Sequence, residues 1–150
     1  MIVGENNIAI VTKKKIIMVI AFLRWNPFHH KLREKWGDDP SVGGEYNGYV
    51  AFDAELPPSS MSGASWEDSK SLDYLISVHG GITYDSEIDI AYPMIPLTAI
   101  PAPEELEKFR CIGFDTLHLG DTRDKWPIER VKEETLDLMH QVEKLIAERQ

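Results

Sequence analysis

The clearest pattern in the chain predicts a long amphipathic helix near its C-terminal end. Apolar residues recur every three or four positions from Pro127 to Ala147, and charged residues fill the positions between them. Pro127 suits the first turn of a helix, because the N–H that it lacks would have no partner there. We therefore expect a helix that buries one apolar stripe against a sheet or a partner subunit.

Short β-branched, apolar segments predict strands elsewhere in the chain. Four proline- or serine-containing segments interrupt them. We expect short helices at 27–36, within 66–74 and at 103–108, and an exposed, mobile loop at 56–65. The predicted strands are Asn7 to Val11, Ile16 to Leu23, Tyr49 to Phe52, Leu75 to Val78 continuing through Ile82 to Tyr84, and Phe109 to Gly113.

Local turn signals refine this pattern. The pair Asn47-Gly48 is typical of a tight turn before a strand. Pro93 and Pro96 argue against a regular central strand over 88–100. The predicted fold is a single α+β domain over 1–150, with a small, mostly antiparallel sheet packed by the long C-terminal helix. Residues 1–46 form an N-terminal extension with strands and a short helix, and residues 47–150 form the core that carries the motifs.

Charge and cysteine content argue against several classes of protein. The net charge is −9, and residues 38–89 hold 11 of the 25 acidic side chains, which argues against binding long nucleic acid. A single cysteine, Cys111, excludes an intrachain disulfide and fits a reducing cytoplasm. The apolar run that follows Lys15 ends at Arg24 and is too short to cross a bilayer, so we expect a strand there and no membrane partner.

Two polar motifs rich in glycine carry the candidate chemistry. One reads VHGGITY from Val78 to Tyr84, and the other reads GFDTLHLGD from Gly113 to Asp121. Each follows an apolar stretch, and loops held by a rigid scaffold often carry function. We expect the two motifs to converge on one site.

Several chemistries are compatible with these residue types. His79 and His118, with Asp115, could act as acid and base. Asp115, His118 and Asp121 could instead bind a divalent metal, although no standard metal-ligand spacing is matched, and a site with no cofactor is favoured. The structural alternative is that the aspartates cap turns and the histidines form hydrogen bonds with backbone groups. The predicted ligand-binding residues are His79, Gly80, Gly81, Thr83, Tyr84, Asp115, His118, Arg123, Lys125 and Trp126.

Two of these assignments have specific alternatives. The His79-Gly80-Gly81 turn could cradle an anion with its backbone N–H groups, or it could simply be a bulge that needs glycine. Trp126 could stack on a ligand together with Arg123 and Lys125, or it could plug the core beside the long helix.

The motifs resemble those of a family of small, uncharacterised proteins encoded by phages and prophages. The family pattern reads NGYV, then VHGG[LI]T[FY], then GFDxxHxGD, and it covers about residues 47–145 of this chain. The resemblance implies an accessory protein that acts in the cytoplasm of a bacterial host. By analogy of class alone, it implies a protein that binds a small nucleotide-like ligand and sequesters a defence signal.

The residues leave three functions open. The first is binding of such a ligand in a pocket that a homo-oligomer could share between subunits. The alternative is a small hydrolase or phosphodiesterase that uses His/Asp acid–base or metal-assisted chemistry. The third is a structural or assembly role, against which the polar loop motifs argue.

Overall fold

The computed structural model describes residues 8–11, 16–26, 31, 34–35, 37, 43–65 and 67–149. Six strands in this part of the chain form one sheet. They are β1 (Ile8–Val11), β2 (Ile16–Trp25), β3 (Tyr46–Phe52), β4 (Tyr84–Glu87), β5 (Ile95–Pro96) and β6 (Arg110–Phe114). The helices described between residues 43 and 149 are α1 (Leu72–Leu75), α2 (Pro103–Leu106) and α3 (Ile128–Glu148), and a 3₁₀ turn covers Ser60–Ser62.

The sheet is antiparallel throughout its described pairs. Its strand order is β1–β2–β3–β6–β4, and β5 pairs with the end of β2 on the same side as β1. The long strand β2 is the apolar run that the sequence predicts, extended through Arg24 to Trp25. The sheet with its long C-terminal helix confirms the predicted α+β class.

The two faces of the sheet bury different cores. Side chains of β2 alternate between the faces, so that Val19 and Leu23 belong to one core while Ile20 and Phe22 belong to the other. Helix α3 covers the first face, which we call the helix face, with its apolar stripe. The second face, which we call the open face, packs against the segments around β5 and α2. The stripe of α3 consists of Val131, Leu138, Met139, Val142 and Ile146.

The predicted turn at Asn47-Gly48 is wrong, because both residues lie inside β3. A Cβ atom on Gly48 would lie 2.0 Å from Oγ1 of Thr135 and 2.5 Å from the ring of Phe114. Glycine is needed at position 48 because α3 crosses β3 at close range, and not because the chain turns there.

One further prediction needs correction. Leu75 ends α1 and residues 76–78 are irregular, so the strand predicted over 75–78 does not form. The segment 56–65 is mostly exposed, as predicted, and the hydroxyl of its buried Ser59 donates to Asp85 on β4 at 2.7 Å. The helix predicted at 27–36 lies largely outside the described residues.

The described helices include none that combines the length and the apolar character needed to cross a membrane.

Candidate functional site

The two polar motifs meet because of the pairing between β4 and β6. In an antiparallel pair, the start of one strand lies beside the end of the other. Tyr84 at the start of β4 pairs with Gly113 near the end of β6, and the backbone N–H of Thr83 donates to the carbonyl of Gly113 at 2.9 Å. The loop before β4 and the loop after β6 therefore leave the sheet side by side, as the sequence predicts.

A histidine–carboxylate pair joins the two loops. Nε2 of His79 lies 2.9 Å from both carboxylate oxygens of Asp121. The Asp121 side chain is 6% exposed, whereas that of His79 is 25% exposed. Oδ2 of Asp121 also accepts a hydrogen bond from the backbone N–H of His118 at 2.9 Å. The carboxylate of Asp121 thus holds residues of both motifs.

Backbone contacts fix this pair to the scaffold. The backbone N–H of His79 donates to Oε1 of Glu134 on α3 at 3.1 Å. The backbone N–H of Asp121 donates to the carbonyl of His118 at 2.9 Å, and its carbonyl accepts from Gly43 at 3.0 Å. The site is therefore tied to the long helix and to the segment before β3. The sequence gives no local signal for Glu134, because its contact spans 55 residues.

The second imidazole lies against the first. The rings of His79 and His118 meet edge to face, with centroids 5.4 Å apart and planes at 84°. Nε2 of His118 lies 3.2 Å from Oδ1 of Asp115. That contact is not aligned as a hydrogen bond, and the buried Nε2 has no hydrogen-bond partner among the described residues. Asp115 instead accepts from the N–H of Leu117 at 3.0 Å.

Gly80 makes room for the second imidazole. Its φ of +68° is a backbone conformation that residues with a side chain rarely adopt. A Cβ atom on Gly80 would lie 1.9 Å from Nε2 of His118. The glycine of the first motif is thus required by the histidine of the second, which couples the two motifs through packing as well as hydrogen bonds.

Trp126 forms a wall of the site. Its ring centroid lies 4.1 Å from that of His79, and Cζ of Arg130 lies 4.0 Å from the same ring. The side chain is 4% exposed and belongs to the helix-face core. Because an imidazole and a guanidinium cover this ring, it supports His79 and offers no open face for stacking on a ligand.

Other predicted ligand residues do not join this site. Tyr84 packs on Tyr49 in the open-face core, so it points to the opposite side of the sheet. Arg123 pairs with Glu45 at 3.4 Å, and Lys125 is exposed. The assignments of Tyr84, Arg123 and Lys125 are therefore not supported by their positions.

The glycine turn is closed by its own hydrogen bond. The N–H of Gly81 donates to the carbonyl of Val78 at 2.9 Å. That N–H is consequently engaged in a turn and cannot help to cradle an anion.

The predicted metal ligands do not assemble. No group of three His, Cys, Asp or Glu side chains in the described part of the chain is placed to hold a metal ion. Asp121 directs its carboxylate to His79 and to the backbone of His118, while Asp115 approaches His118 from a separate turn. Asp121 therefore pairs with His79 and Asp115 lies beside His118, so Asp115, His118 and Asp121 do not form one ligand set.

Comparison with known proteins finds no matching protein-family model, no similar curated protein and no matching solved structure.

Proposed function

We propose that the protein is a small hydrolase that acts on the phosphodiester bond of a nucleotide-like molecule. The observation that carries this proposal is the edge-to-face pair of His79 and His118, in which each imidazole lies beside a separate carboxylate. Hydrolysis of such a bond needs a base that removes a proton from the attacking water and an acid that protonates the leaving oxygen. Two imidazoles in one site can supply both.

We assign the base role to His79. A carboxylate only accepts hydrogen bonds, so the bond to Asp121 places the ring hydrogen on Nε2 and leaves the lone pair on Nδ1. Nδ1 of His79 has no hydrogen-bond partner among the described residues. Asp121 would thus orient the ring as the aspartate of a catalytic triad does, with the two ring nitrogens exchanged.

We assign the acid role to His118. When its ring is protonated, the charge faces Oδ1 of Asp115 at 3.2 Å. The side chain is 35% exposed although Nε2 is buried, so Nδ1 is the nitrogen that would give its proton to the leaving oxygen and regain one from water. Gly80 fixes the distance between this ring and the first motif.

Sequestration of the same class of ligand without turnover is the second candidate. Asp115 is not aligned with Nε2 of His118, so this imidazole lacks the hydrogen-bonded orientation that proton transfer uses best. Both candidates suit an accessory protein of a phage or prophage in the cytoplasm of a bacterial host, which is the setting that the motif resemblance implies.

One experiment separates the two candidates. The protein is incubated with cyclic nucleotides and ADP-ribose-type nucleotides, with and without EDTA, and is then denatured so that the released compounds can be analysed. Altered nucleotide supports the hydrolase, and intact nucleotide released by heat supports sequestration. If no nucleotide is either retained or altered, both are contradicted and a structural role is favoured.

Single substitutions test the site itself. We expect His79→Asn and His118→Asn each to lower turnover by about a hundredfold or more, because each removes one partner in proton transfer. His140→Asn is the matched control, since His140 is exposed on α3. Normal activity in both site variants would contradict the assignment.

A further inference from the structure

A cavity opens on the open face of the sheet, away from α3. Its volume is about 620 Å³, which falls within the range of pockets that bind small molecules. Described residues that line it include Arg24 from β2 and the aromatic side chains Trp25, Tyr49, Tyr84 and Tyr92. An aromatic wall with one buried cation is an unusual surface to leave open to water.

Arg24 is the buried cation of this cavity, which is also lined by the exposed side chains of Lys31 and Asp89. It is 7% exposed, and its Cζ lies 5.3 Å from the ring centroid of Phe22 and 5.4 Å from that of Tyr49. Nη2 donates to the carbonyl of Asp89, but Nε is buried and has no hydrogen-bond partner among the described residues. A buried guanidinium N–H without an acceptor is unfavourable. An anionic group in the cavity would accept from it.

The aromatic side chains form a continuous surface beside this cation. Phe22 stacks on Tyr49 at 5.4 Å, and Tyr49 meets Tyr84 edge to face at 5.7 Å. Burial raises the pKa of both tyrosines, so their hydroxyls stay neutral and leave Asp89 as the acidic side chain among the described lining residues. Tyr92 is 56% exposed, which makes it available to cover a planar ring.

We propose that this cavity binds a small planar aromatic anion, with the anionic group on Arg24 and the ring against Tyr92. An aromatic carboxylate and a nucleoside monophosphate both have this chemistry. The proposal stands on residues that the histidine site does not use, so it is independent of the proposed hydrolase activity.

Calorimetric titration with three probes tests it: benzoate, AMP and inorganic phosphate. We expect one aromatic anion to bind saturably and inorganic phosphate to bind at least about tenfold more weakly. Tighter binding of benzoate would identify a carboxylate ligand, and tighter binding of AMP would identify a phosphate ligand. Absence of saturable binding by both aromatic probes overturns the proposal, as does phosphate binding that equals theirs.

Variants locate the binding. Arg24→Gln should weaken it about tenfold, because the charge-assisted hydrogen bond is lost. Tyr92→Ala should weaken it about fivefold and does not disturb the core, so it remains informative if Arg24→Gln fails to fold. Tyr74→Ala is the matched control, since Tyr74 is equally exposed, at 55%, and lies outside the cavity.

The two sites are distinguished by His79→Asn, which should leave binding of the aromatic anion unchanged. Equal affinities of wild-type protein and Tyr92→Ala overturn the proposed cavity, as does a loss of affinity that appears only in His79→Asn.

Discussion

Two nearly buried carboxylates of this protein have partners of opposite character. Asp85 on β4 is 3% exposed and receives hydrogen bonds from Arg110 at 2.7 and 2.8 Å, from Ser59 Oγ at 2.7 Å and from Ser62 Oγ at 2.8 Å. Asp121 is 6% exposed and is paired with the imidazole of His79. The first carboxylate is paired with a guanidinium, which is always charged, and the second is paired with an imidazole, which carries one donor and one acceptor nitrogen when it is neutral.

This difference separates a carboxylate that stabilises the fold from one that orients an imidazole. Burial raises the pKa of Asp85, but hydrogen bonds from Arg110, Ser59 and Ser62 outweigh it and leave the pKa below its usual value. Arg110 also donates to the carbonyls of Leu56 and Pro57 and so pins the serine-rich segment to the sheet. The Asp85 cluster therefore holds the fold together, while the Asp121 cluster joins the two polar motifs.

The largest expected effect is the loss of the structural pair. Arg110→Ala leaves the carboxylate of Asp85 buried without its cation, and we expect the free energy of unfolding to fall by about 3 kcal/mol or more. Urea unfolding at pH 7 measures it. Lys108→Ala is the control, since it breaks only the exposed pair of Lys108 with Glu105, at 3.7 Å, and should cost less than about 0.5 kcal/mol. Equal losses would remove the contrast between buried and exposed pairs.

A glycine pair tests the second cluster. Gly80→Ala adds a Cβ atom 1.9 Å from His118 and strains a backbone at φ +68°, so we expect a loss of about 2 kcal/mol or more and a displaced imidazole. Gly81→Ala has φ +79° but open space around its Cβ, so it should cost only about 1 kcal/mol. Thermal unfolding and the histidine NMR signals report both changes. If both variants keep the wild-type His118 signals, the packing argument fails.

The regular elements could be predicted because their sequence periodicity reports burial directly. The stripe of α3 and the apolar run of β2 are visible in the sequence for this reason. Gly48 could not be interpreted in the same way, because a glycine in a turn and a glycine under a crossing helix have the same local sequence. Only the contact with Thr135 distinguishes them.

The candidate site was predictable in part. The two motifs converge as expected, because each lies at an end of one of two paired strands. The choice of partners was not predictable, since Asp121 is 42 residues from His79 and only three residues from His118. The sequence motif groups Tyr84 with His79, but strand alternation turns Tyr84 to the opposite face of the sheet. Arg24 ends the apolar run in the sequence but lies inside β2 in the structure. A charged residue within a buried strand is the sequence feature that indicates the cavity on the open face.

Acidification should have a smaller effect on stability, which tests the hydrogen bonds that Asp85 accepts. A carboxyl group whose pKa is lowered in the folded state stabilises the fold above its unfolded pKa, and this stabilisation is lost as the pH falls through the folded value. For Asp85 the usual value is 3.8, so we expect its contribution to be complete above about pH 4 and lost progressively below it. Urea unfolding between pH 7 and pH 2.5 should show this loss in the wild-type protein and less of it in Arg110→Ala. An identical pH dependence in the two proteins would contradict it.

The smallest expected effect comes from a single hydroxyl of the structural cluster. Ser62→Ala removes one of the hydrogen bonds that Asp85 accepts but leaves Arg110 in place, so we expect a loss of about 1 kcal/mol at pH 7. With one donor fewer, the pKa of Asp85 should move back toward its usual value, and the stability lost on acidification should shrink. Ser69→Ala, at an exposed serine, is the control and should change neither quantity. A loss from Ser62→Ala as large as that from Arg110→Ala would mean that the hydroxyls, and not the guanidinium, hold this carboxylate. In that case the permanent charge of Arg110 would no longer explain why the Asp85 cluster stabilises the fold.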